Sequence, residues 1–201
     1  MEQSFVETIK IRNGKVERLP YHQARMERTI RHFFRQWADT AMPSLADLLK
    51  PKENMDFYKA RVVYGPEGVE KVEYAPYTMR TIQSLKVVRD DDIDYTYKSC
   101  DRSQLNALVA QKGNCDDIII VKKGLVTDTS FTNIAIFDGK DWITPKHPLL
   151  AGTQRAYLLD KGIIREADIS LMNLRQAQKV CIFNAMIGFG EREIDIKNIS
   201  F

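Results

Sequence analysis

Lys98 stands in "DYTYKSCDRSQLNALVAQKG" between a pair of tyrosines and the start of a helix marked by the capping residues Ser99, Asp101 and Ser103. An amine at such a turn can point into a cavity instead of lying along a helix face, and there it can condense with a carbonyl. Asp128 ends the strand pattern of "GLVTDTSFTN", surrounded by Thr127, Thr129, Ser130 and Thr132; alone it reads as a hairpin cap with an Asx-turn. "PLLAGTQRAYLLDKG" passes from a small-residue turn into a helix, setting the amides of Thr153 and Gln154 in a first turn that favours an anion such as phosphate. Arg25, one turn into an earlier helix, is by itself a solvated charge. Together the four features supply a carbonyl-condensing amine, a carboxylate able to sit beside a ring nitrogen, and an anion site with an arginine.

The elements that must position these groups follow from periodicity. Phe5, Glu7, Ile9 and Ile11 alternate with Val6, Thr8 and Lys10, and "RNGK" supplies an Asn-Gly turn, so residues 3–18 read as a hairpin. From Tyr21 to about Asp39, Met26, Ile30, Phe33, Phe34 and Trp37 fall at helical spacing between Pro20 and Pro43, and a short helix follows near Ser44–Leu49. "FYKARVVYG" and "VEKVEYAPY" pair across "GPEG". After "PYTM" come the strand "RTIQSLKVV", a helix near Gln104–Lys112, strands in "DDIIIVKKGLVTD" and "NIAIFDGKDWIT", and a helix after Gly152. A strand near Ile163–Ile169, a helix near Leu171–Gln178 and the apolar strand "VCIFNAMIG" complete the chain. The expected fold class is α+β, with two α/β subdomains, a small one at 1–79 and a larger one at 80–201, and mixed, largely antiparallel sheets.

Composition narrows the function. The 201 residues are 44% hydrophobic, enough for a packed core, and the net charge of +3 arises from 30 basic and 27 acidic residues mixed along the chain. That mixing leaves no basic stripe for nucleic acid and points to a small partner. Three scattered cysteines, Cys100, Cys115 and Cys181, read as reduced thiols in a cytoplasmic setting, and His22, His32 and His147 show no metal-ligand spacing. No leader pattern and no run of membrane-spanning length is expected. Arg61 and Tyr64 lie three apart on one strand, so only one of them can readily face a substrate. His22 reads as a structural hydrogen-bonding residue, and Cys100 as a packing residue, with no histidine base suggested near it.

Pyridoxal phosphate requires an amine, a carboxylate at its pyridine nitrogen and an anion site, and the chain has a candidate for each. The sequence also resembles the fold-type IV pyridoxal-phosphate enzymes, which comprise branched-chain aminotransferases, D-amino-acid aminotransferases and aminodeoxychorismate lyases. "FVETIKIRNGKVERLPYHQARMERT" looks like their opening hairpin and helix, whose H-x-x-R arginine contacts the cofactor phosphate; this maps onto His22 and Arg25. Lys98 falls where the family has its Schiff-base lysine, and Arg102 repeats the K-x-x-x-R spacing of the lyase branch. "LVTDTSFTNIAIF" resembles V-T-E-x-x-x-x-N-(I/L)-F, "LLAGTQR" resembles L-x-G-(I/T)-x-R, and "VCIFNAMIGF" resembles the lyase-like N-A-L strand, whose loop at Asn184 and Ala185 would close the phosphate side.

The resemblance implies a lyase that converts aminodeoxychorismate to 4-aminobenzoate and pyruvate, with a branched-chain or D-amino-acid aminotransferase as the alternative. Lys98 would be catalytic; Arg25, Asp128, Thr153, Gln154, Asn184 and Ala185 would bind the cofactor; Glu7, Arg61, Tyr64 and Arg102 are substrate candidates. It also implies a homodimer with the site near the subunit interface and a small amino substrate. Three features depart from the family pattern: Asp128 in place of glutamate, Val6 where relatives often have an aromatic, and a start almost at the opening strand. The first and third motivate a reading from another class, a non-catalytic cofactor-binding or degenerate scaffold protein.

Overall fold

Asn13 and Gly14 both adopt positive φ, 49° and 71°, the geometry of a hairpin turn whose twist matches its strands. The computed structural model describes residues 3–35 and 42–201. The turn joins β1 (Phe5–Arg12) to β2 (Lys15–Val16), a strand of only two residues, so β1 takes its main partner from further along the chain. That partner is β3 (Phe57–Gly65), antiparallel over the whole of β1, followed by β4 (Gly68–Pro76) in the order β2-β1-β3-β4. Helix α1 (Leu19–Phe33) has Pro20 in its first turn, where the missing amide hydrogen costs nothing. It buries Met26 and Ile30 against Phe5, Ile9, Ile11, Ala60, Val62 and Tyr64. Trp37 and the expected helix end near Asp39 lie outside the described residues. Ser44 caps the short helix α2 (Leu45–Leu48), its side chain accepting from the Asp47 amide.

The chain divides into two units, Met1–Met79 with Tyr97–Asp101, and Arg80–Thr96 with Arg102–Phe201. The first unit thus ends at Met79 and also takes in Tyr97–Asp101, a segment that lies within the second expected subdomain. The backbone explains why: Val6 N–H donates to Lys98 O at 3.0 Å, Cys100 N–H donates to Ser4 O at 2.9 Å, and Phe5 and Ser99 form a bridge.

The second unit is a mixed sheet in the order β10-β9-β8-β7-β6-β5-β13, with β11 pairing β8 and β12. The strands are β5 (Leu85–Arg89), β6 (Asp117–Lys122), β7 (Leu125–Thr129), β8 (Asn133–Phe137), β9 (Trp142–Pro145), β10 (Arg165–Ala167), β11 (Lys179–Phe183), β12 (Glu193–Ile194) and β13 (Ile199–Ser200). Pairs β5·β6, β9·β10 and β5·β13 are parallel and the others antiparallel. Strand β6 reads as a continuous apolar run because both its faces are covered. Ile118 and Ile120 pack with Leu105 and Leu108 of α3 (Ser103–Val109), while Ile119 and Val121 join Val126, Ile134, Val180 and Ile182. Helix α4 (Thr153–Asp160) places Leu158 against Ala135, Cys181 and Phe183, and α5 (Leu171–Gln176) opens with a capping box from Ser170 and Asn173. Among the described residues no helix is long and apolar enough to cross a membrane.

Candidate functional site

In the first unit, β1 sends Phe5, Glu7, Ile9 and Ile11 to one face, and all four are fully buried. Three belong there and one is a carboxylate, which burial without partners would make costly. Its partners come from the buried face of α1, where His22 and Arg25 sit three residues apart. Arg25 Nε and Nη2 donate to the two oxygens of Glu7 at 2.9 and 2.6 Å, and His22 Nδ1 lies 2.6 Å from Oε2. Burial raises the pKa of Glu7, but the Arg25 charge and the bonds from His22 and Arg25 outweigh it and hold it at about 2. Burial pushes His22 below its ordinary value, so the ring is neutral at pH 7 and donates its Nδ1 hydrogen to the carboxylate.

Lys98 lies in the segment fastened to the edge of β1. Tyr97 anchors it, stacking on His32 at 4.8 Å between ring centroids and meeting Phe33 edge-on at 4.9 Å. The charge of Lys98 contributes to the lowering of His22, after burial and Arg25, which puts the amine within electrostatic reach of the Glu7 cluster. Cys100 has its thiol pushed up, chiefly by burial, as suits a packing residue.

In the second unit, Asp128 near the end of β7 is buried with both oxygens engaged. Asn133 Nδ2 donates to Oδ1 at 2.8 Å and the Leu150 amide donates to Oδ2 at 2.8 Å. Burial raises its pKa to about 6, against the opposing pull of those donors and the Arg155 charge, so it is mostly ionised at pH 7. Asn133 Nδ2 also donates to Leu150 O at 2.9 Å, tying the strand to the approach of α4. Gly152 caps that helix, and a Cβ built on it would lie 2.0 Å from Asn133 Oδ1. Its φ of −70° suits any residue, so close approach demands the glycine here. Thr153 and Gln154 follow, both buried, and Gln154 Oε1 has no hydrogen-bond partner among the described residues.

The expected residues thus fall into two sets: Glu7, His22, Arg25, Arg61, Tyr64 and Lys98 in the first unit, and Arg102, Asp128, Thr153, Gln154, Asn184 and Ala185 in the second. Several placements differ from expectation. Glu7, a substrate candidate, is shut away with both oxygens held by α1. Tyr64 is fully buried on the same face, opposite Phe5 in register, and not open to a substrate. Arg61 points the other way, 3.6 Å from Glu73 and 3.9 Å from Cys100 Sγ. Arg102 Nη2 donates to Ser130 O at 2.7 Å and its guanidinium lies 5.6 Å from the Tyr95 ring, so it braces the turn after Asp128. Asn184 accepts from the Met186 and Ile187 amides at 2.8 and 2.9 Å and donates to Phe131 O at 3.2 Å. Roles for Asn133, Gly152 and Tyr97 were missed. The "TDTSFTN" spacing offered Asn133, whereas nothing local in the sequence announces the Gly152 approach.

The residue types fit pyridoxal phosphate: a lysine, a largely ionised carboxylate, a buried arginine and a helix start with an orphaned buried polar atom. Similarity to known proteins agrees. The profile of the family "Amino-transferase class IV" matches residues 4–191. A Haemophilus influenzae protein of uncharacterised function is 39% identical over 184 residues, covering 90% of this chain and 97% of its own. A Schizosaccharomyces pombe protein provisionally designated an aminodeoxychorismate lyase is 27% identical over 92% of this chain and 87% of its own. Among solved structures, a Haemophilus somnus protein provisionally designated a 4-amino-4-deoxychorismate lyase has a TM-score of 0.81 at 32% identity, covering 94% of this chain and 98% of its own. A Mycobacterium tuberculosis structure described as a hypothetical aminotransferase in its PLP-bound form shares the fold, with a TM-score of 0.74 at 18% identity over 92% of this chain and 78% of its own. The chain belongs to the class IV amino-transferases, a family of lyases and aminotransferases that work with pyridoxal phosphate.

Proposed function

We propose that this protein is a pyridoxal-phosphate-dependent lyase that converts aminodeoxychorismate to 4-aminobenzoate and pyruvate. The observation that carries the reading is the 32% identity, over nearly the whole of both chains, to the Haemophilus somnus protein designated for that reaction. In this reading Lys98 holds the cofactor through its amine. Asp128, supported in its ionised form by Asn133 Nδ2 and the Leu150 amide, keeps the pyridine nitrogen protonated. Arg25 and the amides of Thr153 and Gln154 hold the phosphate, and the Asn184–Ala185 turn supports that side. The bound cofactor supplies an electron sink for the substrate's α-carbon. Lys98 Nζ would remove and return protons at the substrate's α-carbon as general base and acid. The working form is a homodimer and the substrate a small amino compound.

An aminotransferase would use the same residues and differ in its products, releasing no pyruvate from aminodeoxychorismate. The test is an absorbance spectrum of wild type and Lys98→Ala after incubation with pyridoxal phosphate and dialysis, then a pyruvate assay with aminodeoxychorismate. A visible band in wild type that Lys98→Ala abolishes, with pyruvate released, is the expected result. Cofactor converted to its amine form without pyruvate would select the aminotransferase. A band of equal strength in both proteins would sink the assignment of Lys98.

A further inference from the structure

Glu7 is a carboxylate on a strand face otherwise given to Phe5, Ile9 and Ile11, and it is fully buried. A leucine at that position would pack without the desolvation penalty of an ion, and replacing buried ion pairs by apolar residues is often neutral or stabilising. Fold stability alone is therefore a weak reason for the charge. The geometry offers a better one. Arg25 has three rotatable bonds beyond its Cβ, and a lone guanidinium at its depth would have many orientations and one strong tendency, to reach water. Glu7 removes both freedoms: its two oxygens grip Nε and Nη2 in a fork at 2.9 and 2.6 Å, which fixes the plane of the guanidinium as well as its position. His22 in turn fixes Glu7 from one helical turn earlier, at 2.6 Å, and Thr29 Oγ1 donates to the Arg25 carbonyl at 3.0 Å.

We propose that Glu7 is a positioning residue that aims Arg25 at the phosphate group of the cofactor, and that it contributes to binding through that arginine and not by touching the substrate. This inference rests on the reading of Arg25 as a phosphate ligand. A phosphate accepting from a guanidinium of fixed plane loses less orientational entropy on binding than one that must first order the side chain.

The experiment compares dissociation constants for pyridoxal phosphate and for pyridoxal, which lacks the phosphate, in wild type, Glu7→Gln, Glu7→Asp, Arg25→Gln and Glu7→Gln/Arg25→Gln. The ratio of the two constants reports phosphate recognition, and damage that lowers both affinities equally leaves it unmoved. Charge-assisted hydrogen bonds are worth about 1.5–3 kcal/mol, so a misaimed Arg25 should reduce the ratio about tenfold or more in Glu7→Gln. Glu7→Asp retracts the carboxylate by one methylene and keeps its charge, so it should give a smaller loss in a protein that retains the ion pair. The double variant should match Arg25→Gln alone, because Glu7 would have nothing left to aim.

A wild-type ratio in both Glu7 variants, with Arg25→Gln having lost it, would overturn the positioning role and leave the phosphate reading standing. A wild-type ratio in Arg25→Gln would overturn the phosphate reading, and this inference with it. Should the glutamine variant not fold, Glu7→Asp decides alone: a reduced ratio supports the role and an unchanged one ends it.

Discussion

Two buried carboxylates show how surroundings divide the work of one functional group. Glu7 meets a guanidinium and an imidazole and stays ionised to about pH 2, whereas Asp128 meets an amide side chain and one backbone N–H and titrates near 6. The first is fixed as a charge, and the second stands close to neutral pH, where it can respond to a cationic partner. Asn133 is what holds Asp128 in place, and Gly152 is what makes room for Asn133. Gly152→Ala therefore adds a methyl group to a space already filled, at a cost of about 1–3 kcal/mol. Asn133→Ala removes a donor from Asp128 and an anchor from Leu150 O, at about 2 kcal/mol. In Asn133→Ala the obstructing side chain is gone, so the double variant should cost less than the sum by about 1 kcal/mol or more. Urea unfolding of the four proteins measures this; strict additivity would mean that the two residues do not share the space.

At the scale of elements, the turn from β7 to β8 is held from outside as well as by itself. Thr129 and Thr132 join through their hydroxyls at 2.7 Å and by a backbone bond at 2.9 Å. Arg102 holds Ser130 O, Asn184 holds Phe131 O, and Arg80 lies 5.5 Å from the Phe131 ring. If Arg102 is such a brace, Arg102→Ala should lower stability by about 1–2 kcal/mol in the cofactor-free protein and weaken cofactor binding with it. If Arg102 instead contacts substrate, stability stays at the wild-type value and only KM rises. Thermal unfolding beside steady-state kinetics separates the two. This turn also marks the limit of what periodicity conveys. Alternation and helical spacing located β1, β3, β4 and α1, because each reports which face is buried. They could not report which distant side chain meets that face, so the contact of Arg102 with Ser130 O and the attachment of Tyr97–Asp101 to β1 went unseen. One cue was present in the sequence: a glutamate in the row Phe5, Glu7, Ile9, Ile11 signals a charge on a core face, which requires a partner.

For the whole molecule, the two units should respond to acid in opposite senses. In the first, Glu7 has its native pKa lowered from 4.5 to about 2. The native state then binds fewer protons than the unfolded chain between those values, so the stability this provides is complete above pH 4.5 and is lost as pH falls towards 2. The displacement corresponds to about 3 kcal/mol. His22 is also lowered, so its contribution is complete above pH 6.5 and begins to be lost below that point, in the same sense. In the second unit Asp128 is raised from 3.8 to about 6 and Asp117 is raised as well, chiefly by burial. There the native state binds more protons than the unfolded chain, so stability increases as pH falls from 6 towards 4. Asp94, Asp116, Asp138 and Asp195 act in the opposite direction, but they are exposed and screened by solvent. Native-state amide hydrogen exchange between pH 7 and about 2.5, corrected for intrinsic rates, should show protection falling in Phe5–Arg12 and Leu19–Phe33, most steeply below pH 4.5, while it holds or rises in Asp117–Lys122 and Asn133–Phe137. Glu7→Gln should flatten the first response and Asp128→Asn the second, so a parallel fall in all four segments would show that these two carboxylates do not set the acid response.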